Sequence, residues 1–138
     1  MAGFKLKVTP EMESLTQVCV ENSKMDPSLY GKYDVKRGLR DVNGKGVLAG
    51  LTQISSIYST DVVDGKTVPC EGRLYYRGYD IHELTQGFLR EQRFGFEEVT
   101  YLLLFGKLPN EKELADFKVL LAGQRSLPKN FVRDVIMK

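Results

Sequence analysis

The most apolar stretch of the sequence runs from Phe96 to Phe105 and is stopped by Gly106. Only two glutamates in the first turn and Thr100 are polar, so a helix built from it has no side for water. Such a helix is either buried or spans a membrane, and a span needs about 20 apolar residues. We therefore predict a buried core helix and expect Leu103→Ala to cost about 2–5 kcal/mol of stability. The side chains predicted to be buried are Phe96, Val99, Tyr101, Leu102, Leu103, Leu104 and Phe105.

Five further helices begin at N-terminal signals, which are a polar cap, a proline in the first turn or a capping box. The predicted starts are Thr9-Pro10, Asp26-Pro27, Asp80 with Glu83, Asn110 with Glu113, and Leu127-Pro128. Apolar residues follow each start at helical spacing, which predicts packing faces. The last helix has its apolar face at Phe131, Val132, Val135 and Ile136 and no stop signal before Lys138, so we expect a truncated chain.

Residues 47–76 are rich in β-branched and aromatic side chains and have no helical period. Asp64-Gly65 lies between two short β-prone runs and is a strong signal for a two-residue hairpin turn. A further turn is expected at 43–46. The predicted fold is therefore mainly α and multi-helical, with a small β-hairpin near residues 47–76.

The charge of the chain is balanced, with 20 basic and 18 acidic residues in 138 and a net charge of +2. The two signs are interspersed, so no basic surface for nucleic acid is expected. The densest basic cluster, Lys36, Arg37 and Arg40, stands beside Asp34 and Asp41. We expect it to be solvated or internally paired rather than to bind anions.

Cys19 and Cys70 are the two cysteines, and they have no metal-ligand spacing. The N-terminal ten residues lack the apolar core of a secretory signal, and no stretch is long enough to cross a membrane. We therefore expect two reduced thiols in a cytoplasmic protein, with no membrane contact.

Candidate chemistry is sparse in this sequence. His82 is the single histidine, and its place in a first helical turn favours an exposed structural residue over a catalytic one. Gly65-Lys66-Thr67 resembles the end of a phosphate-binding loop, but its hairpin context favours a turn. Tyr75, Tyr76 and Tyr79 with Arg73 and Arg77 favour a core or interface role over base stacking. We predict no catalytic, cofactor-binding or metal-binding residue in this segment.

Four motifs nevertheless make the chain resemble the N-terminal portion of a citrate synthase from about residue 36 onward. The matching segments are VKRGLRD at 35–41, AGLTQIS at 49–55, GRLYYRGYDI at 72–81 and FEEVTYLLLFGKLP at 96–109, followed by Glu113-Leu114. The resemblance implies a helical fold with large and small domains. Residues 1–35 would be a helical extension, and 36–138 would be the N-terminal part of the large domain, incomplete at its C-terminus.

The resemblance also implies an activity: condensation of acetyl-CoA with oxaloacetate to citrate and CoA in the tricarboxylic acid cycle, by a homodimeric acyltransferase. The family uses two histidines and an aspartate, and these residues belong to later motifs. We therefore expect the full-length parent to be the enzyme, and this segment alone to be an inactive scaffold that forms a homo-oligomer. The alternatives are a 2-methylcitrate synthase fragment and a non-catalytic self-association module.

Overall fold

Helices make up most of the regular structure in residues 8–36, 38–40, 44 and 46–137, which are the residues that the computed structural model describes. In chain order the elements are α1 (Pro10–Asn22), α2 (Ser28–Lys32), β1 (Ser55–Val63), β2 (Lys66–Tyr76), β3 (Tyr79–Asp80), α3 (Ile81–Arg90), α4 (Phe96–Phe105), α5 (Glu111–Gly123) and a terminal π-helix (Val132–Ile136). The strands form one antiparallel sheet in the order β1-β2-β3. This confirms the predicted mainly α fold with a small hairpin; the division at residue 36 stays a prediction.

The core lies where α4 packs between α1 and α5. Leu102 is completely buried, and Tyr101, Phe105 and Phe117 form an aromatic cluster beside it. The rings meet edge to face, with centroids 4.5 Å apart for Tyr101 and Phe105 and 5.4 Å apart for Tyr101 and Phe117. Such pairs add about 0.5–1.5 kcal/mol each beyond the burial of their area. Leu15, Cys19, Leu120 and Leu121 complete this core.

The prediction that α4 is buried on every side was wrong. Tyr101, Leu102 and Phe105 are buried, Val99 and Leu103 are only half-buried, and two further residues of the predicted set are exposed. Phe96 is 70% exposed and Leu104 is 43% exposed. They lie two turns apart on one stripe of the helix. Because α1 and α5 cover the opposite side, this stripe remains uncovered within the described part of the chain.

Glu98 is buried, although the sequence placed it only as a first-turn acid of α4. Its carboxylate accepts hydrogen bonds from both Nη atoms of Arg93, and the Arg93 guanidinium lies 4.9 Å from the centroid of the Phe88 ring. A buried charge persists when it is paired and hydrogen-bonded in this way. The same ring requires glycine at the N-cap of α4, because a Cβ at Gly95 would lie 2.3 Å from Phe88.

The hairpin turn at Asp64-Gly65 is confirmed. Both residues have positive φ, 51° and 73°, as a two-residue primed turn requires, and Val63 pairs with Lys66 across it. The first strand begins at Ser55, later than the sequence indicated, and residues 47–54 have no regular structure. The predicted turn at 43–46 lies partly outside the described residues.

The two predicted capping boxes differ in outcome. At α5, Asn110 accepts from the Glu113 amide while Glu113 accepts from the Asn110 amide, both at 2.9 Å, which confirms the capping box. At α3, Asp80 caps the helix by accepting from the His82 amide at 2.7 Å. The capping box predicted with Glu83 is not formed, because Asp80 accepts from the second helical amide rather than the third, and no bond from Glu83 to the Asp80 amide is present among the described residues.

The last predicted helix begins later than its predicted start and is wound differently. The predicted start was Leu127-Pro128, but residues 125–128 have no regular structure and 129–130 form a turn. Phe131 is helical and Val132–Ile136 form a π-helix, in which the Met137 amide donates to Val132 O at 3.0 Å. The predicted start at Thr9-Pro10 is confirmed. The helix predicted at Asp26-Pro27 is present but begins one residue later, with Pro27 as its N-cap and no side-chain cap. The longest helices, α1 and α5, have 13 residues, and no helix in the described part of the chain meets the length and hydropathy of a bilayer crossing.

We predict that Leu102→Ala lowers the free energy of unfolding by about 2–5 kcal/mol, because it leaves a cavity in a fully buried site. The matched control is Leu104→Ala on the exposed stripe of the same helix, which should cost less than about 1 kcal/mol. Half-buried Leu103 should lie between the two. Urea titrations followed by circular dichroism measure all three, and equal losses at 102 and 104 would contradict the packing described.

Candidate functional site

His82 is exposed on the first turn of α3, as the sequence indicated. The structure brings no cysteine to it: Cys19 packs in the core beside α4, and Cys70 lies on β2. Both thiols are unbonded, and burial raises the pKa of Cys70. Within the described ranges no group of three or more His, Cys, Asp or Glu side chains is arranged to hold a metal ion.

The basic cluster is internally paired where the structure describes it. Lys36 Nζ lies 2.6 Å from Asp34 Oδ1, and Arg40 Nη1 donates to Gly44 O at 2.8 Å. Arg37 and Asp41 lie outside the described residues. The Gly65-Lys66-Thr67 segment is the hairpin turn and the start of β2, and not a loop before a helix. This confirms its interpretation as a turn.

The tyrosine cluster belongs to the base of the hairpin. Tyr75 and Tyr76 are half-buried, and Tyr75 packs edge-on against Tyr58 with ring centroids 5.9 Å apart. Tyr79 is 39% exposed. Tyr75 is therefore part of the local packing of the hairpin, and the core or interface role of the whole cluster stays a prediction.

Arg77 is the side chain in this cluster whose contacts the sequence did not reveal. Its Nε and Nη2 donate to Leu103 O at 3.2 and 3.0 Å, and its Nη1 donates to Asn22 O at 3.3 Å. These carbonyls lie in the last turns of α4 and α1, where no helical amide remains to satisfy them and where the helix dipole favours a cation. One guanidinium thus joins the hairpin to both helices. Arg77 lies in the turn between β2 and β3 and has a positive φ of 49°. The Arg77 amide donates to Ile54 O at 2.8 Å.

A groove of about 730 Å³ lies between α1 and α5. Its floor is apolar and is formed by Leu15, Tyr101, Phe117, Val119 and Leu120. The polar residues of its rim are Thr9, Glu11, Ser14, Lys112, Glu113 and Asp116. We call this cavity the α1–α5 groove.

Two carboxylates of this rim, Glu113 and Glu11, have lowered pKa values. Hydrogen bonds from Lys107 and from the Asn110 amide lower the pKa of Glu113, and the Lys107 Nζ to Glu113 Oε1 distance is 2.6 Å. Hydrogen bonds from its own amide and from the Thr9 hydroxyl lower the pKa of Glu11. Burial raises the pKa of Tyr101 in the floor, which keeps the phenol neutral. The groove therefore combines an apolar floor with an anionic rim, an arrangement suited to binding rather than to acid–base chemistry.

Comparison with known proteins identifies the family of the chain. The family described as "Citrate synthase, C-terminal domain" matches residues 38–138, which is most of the sequence. The chain belongs to the citrate synthase family. The resemblance seen in the sequence motifs is thereby confirmed.

Similar proteins within this citrate synthase family carry two activity names. A 2-methylcitrate synthase of Shewanella oneidensis is 45% identical over 56 residues, covering 41% of this chain and 13% of that protein. The peroxisomal citrate synthase 1 of Arabidopsis thaliana is 36% identical over 78 residues, covering 56% of this chain and 14% of that protein. A 2-methylcitrate synthase of Mycobacterium tuberculosis is 32% identical over 125 residues, covering 91% of this chain and 26% of that protein. The chain thus aligns with about a quarter or less of the length of each of these relatives.

We predict that Arg77→Met lowers the free energy of unfolding by about 2 kcal/mol or more, because the half-buried carbonyls of two helix ends lose a charged donor. Methionine keeps the length of the stem, so the change isolates the guanidinium. The control is Arg73→Met, whose ion pair with Asp61 is long at 3.7 Å and half exposed, and which should cost less than about 1 kcal/mol. Similar losses for the two variants in urea titrations would show that Arg77 does not join the elements.

Proposed function

We propose that this chain is the scaffold-forming N-terminal part of an enzyme that condenses acetyl-CoA with oxaloacetate to citrate and CoA. The observation that carries the proposal is the family match over residues 38–138. In this role α1, α4, α5 and the hairpin form a folded support, and Arg77 and the aromatic core hold it together. The chemistry belongs to parts of the family that this segment does not cover.

We further propose that the 138 residues alone do not catalyse the reaction. The mechanism implied by the resemblance uses two histidines and an aspartate, and the sequence contains one histidine. That histidine is exposed on α3, with its amide rather than its ring engaged in the cap. The chain lacks the second histidine that the family mechanism needs to protonate the oxaloacetate carbonyl.

A 2-methylcitrate synthase is the second candidate for the whole enzyme. Relatives with that name are 45% identical over 56 residues and 32% identical over 125 residues. The two activities differ in one methylene of the acyl group, so the side chains around that group decide between them. No described residue of this chain is assigned to that pocket. A protein longer than this segment is therefore needed to compare the two activities.

Self-association is the third element of the proposal. Several large apolar side chains of the hairpin and the terminal helix are exposed, among them Val62 at 74% and Ile136 at 63%. Exposed apolar surface of this kind favours association. We therefore propose that the chain forms a homo-oligomer, both as a part of the enzyme and as the non-catalytic module that is the alternative role.

The cytoplasm is the compartment we propose. Two unbonded cysteines support it, since disulfides are rare there. The Arabidopsis relative carries the name peroxisomal, which makes the peroxisome the alternative. Fractionation of cells that express the tagged natural protein separates the two.

We predict that the purified 138-residue chain releases no CoA above a buffer blank when oxaloacetate is supplied with acetyl-CoA or propionyl-CoA. Chromatography with mass detection of CoA and of the acid product is the measurement, because Cys19 and Cys70 would react with thiol reagents. Turnover that is lost in His82→Ala would overturn the proposal of an inactive scaffold. Turnover unchanged in that variant would contradict it as well, and would exclude a role for the histidine.

A further inference from the structure

The α1–α5 groove combines an apolar floor with a charged rim. Helices α1 and α5 both pack on α4, and the groove lies between them. Its volume of about 730 Å³ falls within the range of about 300–1,000 Å³ that holds a ligand of drug size, so it has room for two large apolar side chains. A concave apolar surface with a polar rim is typical of a site that receives such side chains from a peptide segment.

The charges of the rim are predominantly negative. The residues that line the groove include three carboxylates, Glu11, Glu113 and Asp116, against the ammonium of Lys112. Lys107 pairs with Glu113 from outside the groove, which leaves an excess of one negative charge. A basic segment therefore matches this rim better than an acidic one does.

The residues that lead into α1 have the complementary pattern. Residues 4–8 read Phe-Lys-Leu-Lys-Val, so apolar and basic residues alternate. Alternation with a period of two is typical of an extended chain, which presents apolar side chains on one side and polar ones on the other. Lys5 and Lys7 bring two positive charges. We call residues 4–8 the N-terminal segment; residues 1–7 lie outside the described part of the chain.

The N-terminal segment is joined directly to the groove. Thr9, the N-cap of α1, lines the groove and follows the segment in the chain. Leu15 in the floor lies about 9 Å further along the axis of α1, at a rise of 1.5 Å per residue. An extended chain spans about 3.3–3.6 Å per residue, so Leu6 can lie about 10 Å from Thr9 and Phe4 about 17 Å. A segment that folds back along α1 therefore brings both apolar side chains to the floor.

We propose that the N-terminal segment folds back into the α1–α5 groove of its own chain. Phe4 and Leu6 enter the apolar floor, and Lys5 and Lys7 extend along their stems to the carboxylates of the rim. The link through Thr9 favours this occupant over a separate segment, because it makes the contact intramolecular, with an effective concentration in the millimolar range. The inference goes beyond the proposed enzyme role, since it concerns the packing of α1 against α5 and not the reaction.

Two pairs of substitutions in the segment test the two parts of the contact. Phe4→Ser with Leu6→Ser removes the apolar side chains that enter the floor. Lys5→Glu with Lys7→Glu reverses the charges that meet the rim. Each pair alone should release the segment, because the remaining part of the contact is then opposed by the loss of burial or by repulsion.

The groove is tested from its own side by Val119→Lys. Val119 lines the groove and is 73% exposed, so a lysine there places a cation where the basic segment enters. The controls are Val62→Ser and Lys66→Glu on the hairpin, which change an exposed apolar residue and a basic residue away from the groove. A circular dichroism spectrum confirms that each variant folds.

Nuclear Overhauser contacts in the 138-residue chain are the first measurement. We expect contacts between the Phe4 ring and the methyl groups of Leu15 or Leu120, and we expect them to persist over a hundredfold dilution, because the docking is intramolecular. Both pairs of segment substitutions and Val119→Lys should remove these contacts. The two hairpin controls should retain them.

Trypsin cleavage after Lys7, followed by mass spectrometry, is the second measurement. A docked segment is cleaved only when it opens, so we expect cleavage about tenfold faster in Phe4→Ser with Leu6→Ser and in Val119→Lys than in the wild type. The rates of the two hairpin controls should equal that of the wild type. Added salt should accelerate cleavage of the wild type, because part of the contact is electrostatic.

Three results would overturn the proposal. A wild type without contacts between the segment and the groove leaves the groove to another part of a longer protein. Contacts that disappear on dilution show that a second copy supplies the segment. Equal cleavage rates in the wild type and Val119→Lys show that the groove is not the surface that receives it.

Discussion

Helix α4 contains more apolar surface than its two neighbours cover, and the arrangement of the other elements follows from that constraint. Its Tyr101 and Phe105 side chains pack against residues of α1 and α5, which explains why those two helices, far apart in sequence, lie on the same side of α4. The carbonyls at its C-terminal end still need a donor, and Arg77 supplies one while also reaching the end of α1. Arg77 thereby joins the hairpin to α1 and α4, while the strands β2 and β3 also contact α3.

Much of this fold was predictable because local signals specify local structure. Asp64-Gly65 accepts the positive φ of a tight hairpin, and Asn110 with Glu113 satisfies the first amides of α5, so both signals act within four residues. The absence of an active site in this segment was likewise predicted from a single histidine, and that stays a prediction until the chain is assayed. Membership of the citrate synthase family was predicted from motifs spread over residues 35–114 and is confirmed.

The features that sequence reasoning missed depend on tertiary partners. Glu98 is indistinguishable from Glu97 as a first-turn acid, and only the position of Arg93 over Phe88 explains why Glu98 is buried. Phe96 and Leu104 are as apolar as the core residues, so hydropathy alone does not reveal that their side of α4 is uncovered. The role of Arg77 depends on two helix ends that are 55 and 26 residues away in the sequence, a distance at which no local pattern exists.

Stabilising contacts and exposed apolar surface lie in different places in this segment. The buried face of α4 and the Arg77 contacts stabilise the fold. The exposed apolar side chains lie mainly on the hairpin, on the outer stripe of α4 and on the terminal helix. A substitution at one of those exposed positions therefore leaves the core contacts unchanged.

The central claim is that the stability of the chain is concentrated where α4 meets α1 and α5. Native-state hydrogen exchange at single-residue resolution tests it most directly, since amides that open only by global unfolding mark the stable core. The account predicts that the slowest amides are those of residues 101–105, and that residues 59–70 of the hairpin exchange faster. Hairpin amides as slow as those of α4 would contradict it, because the core would then lie elsewhere.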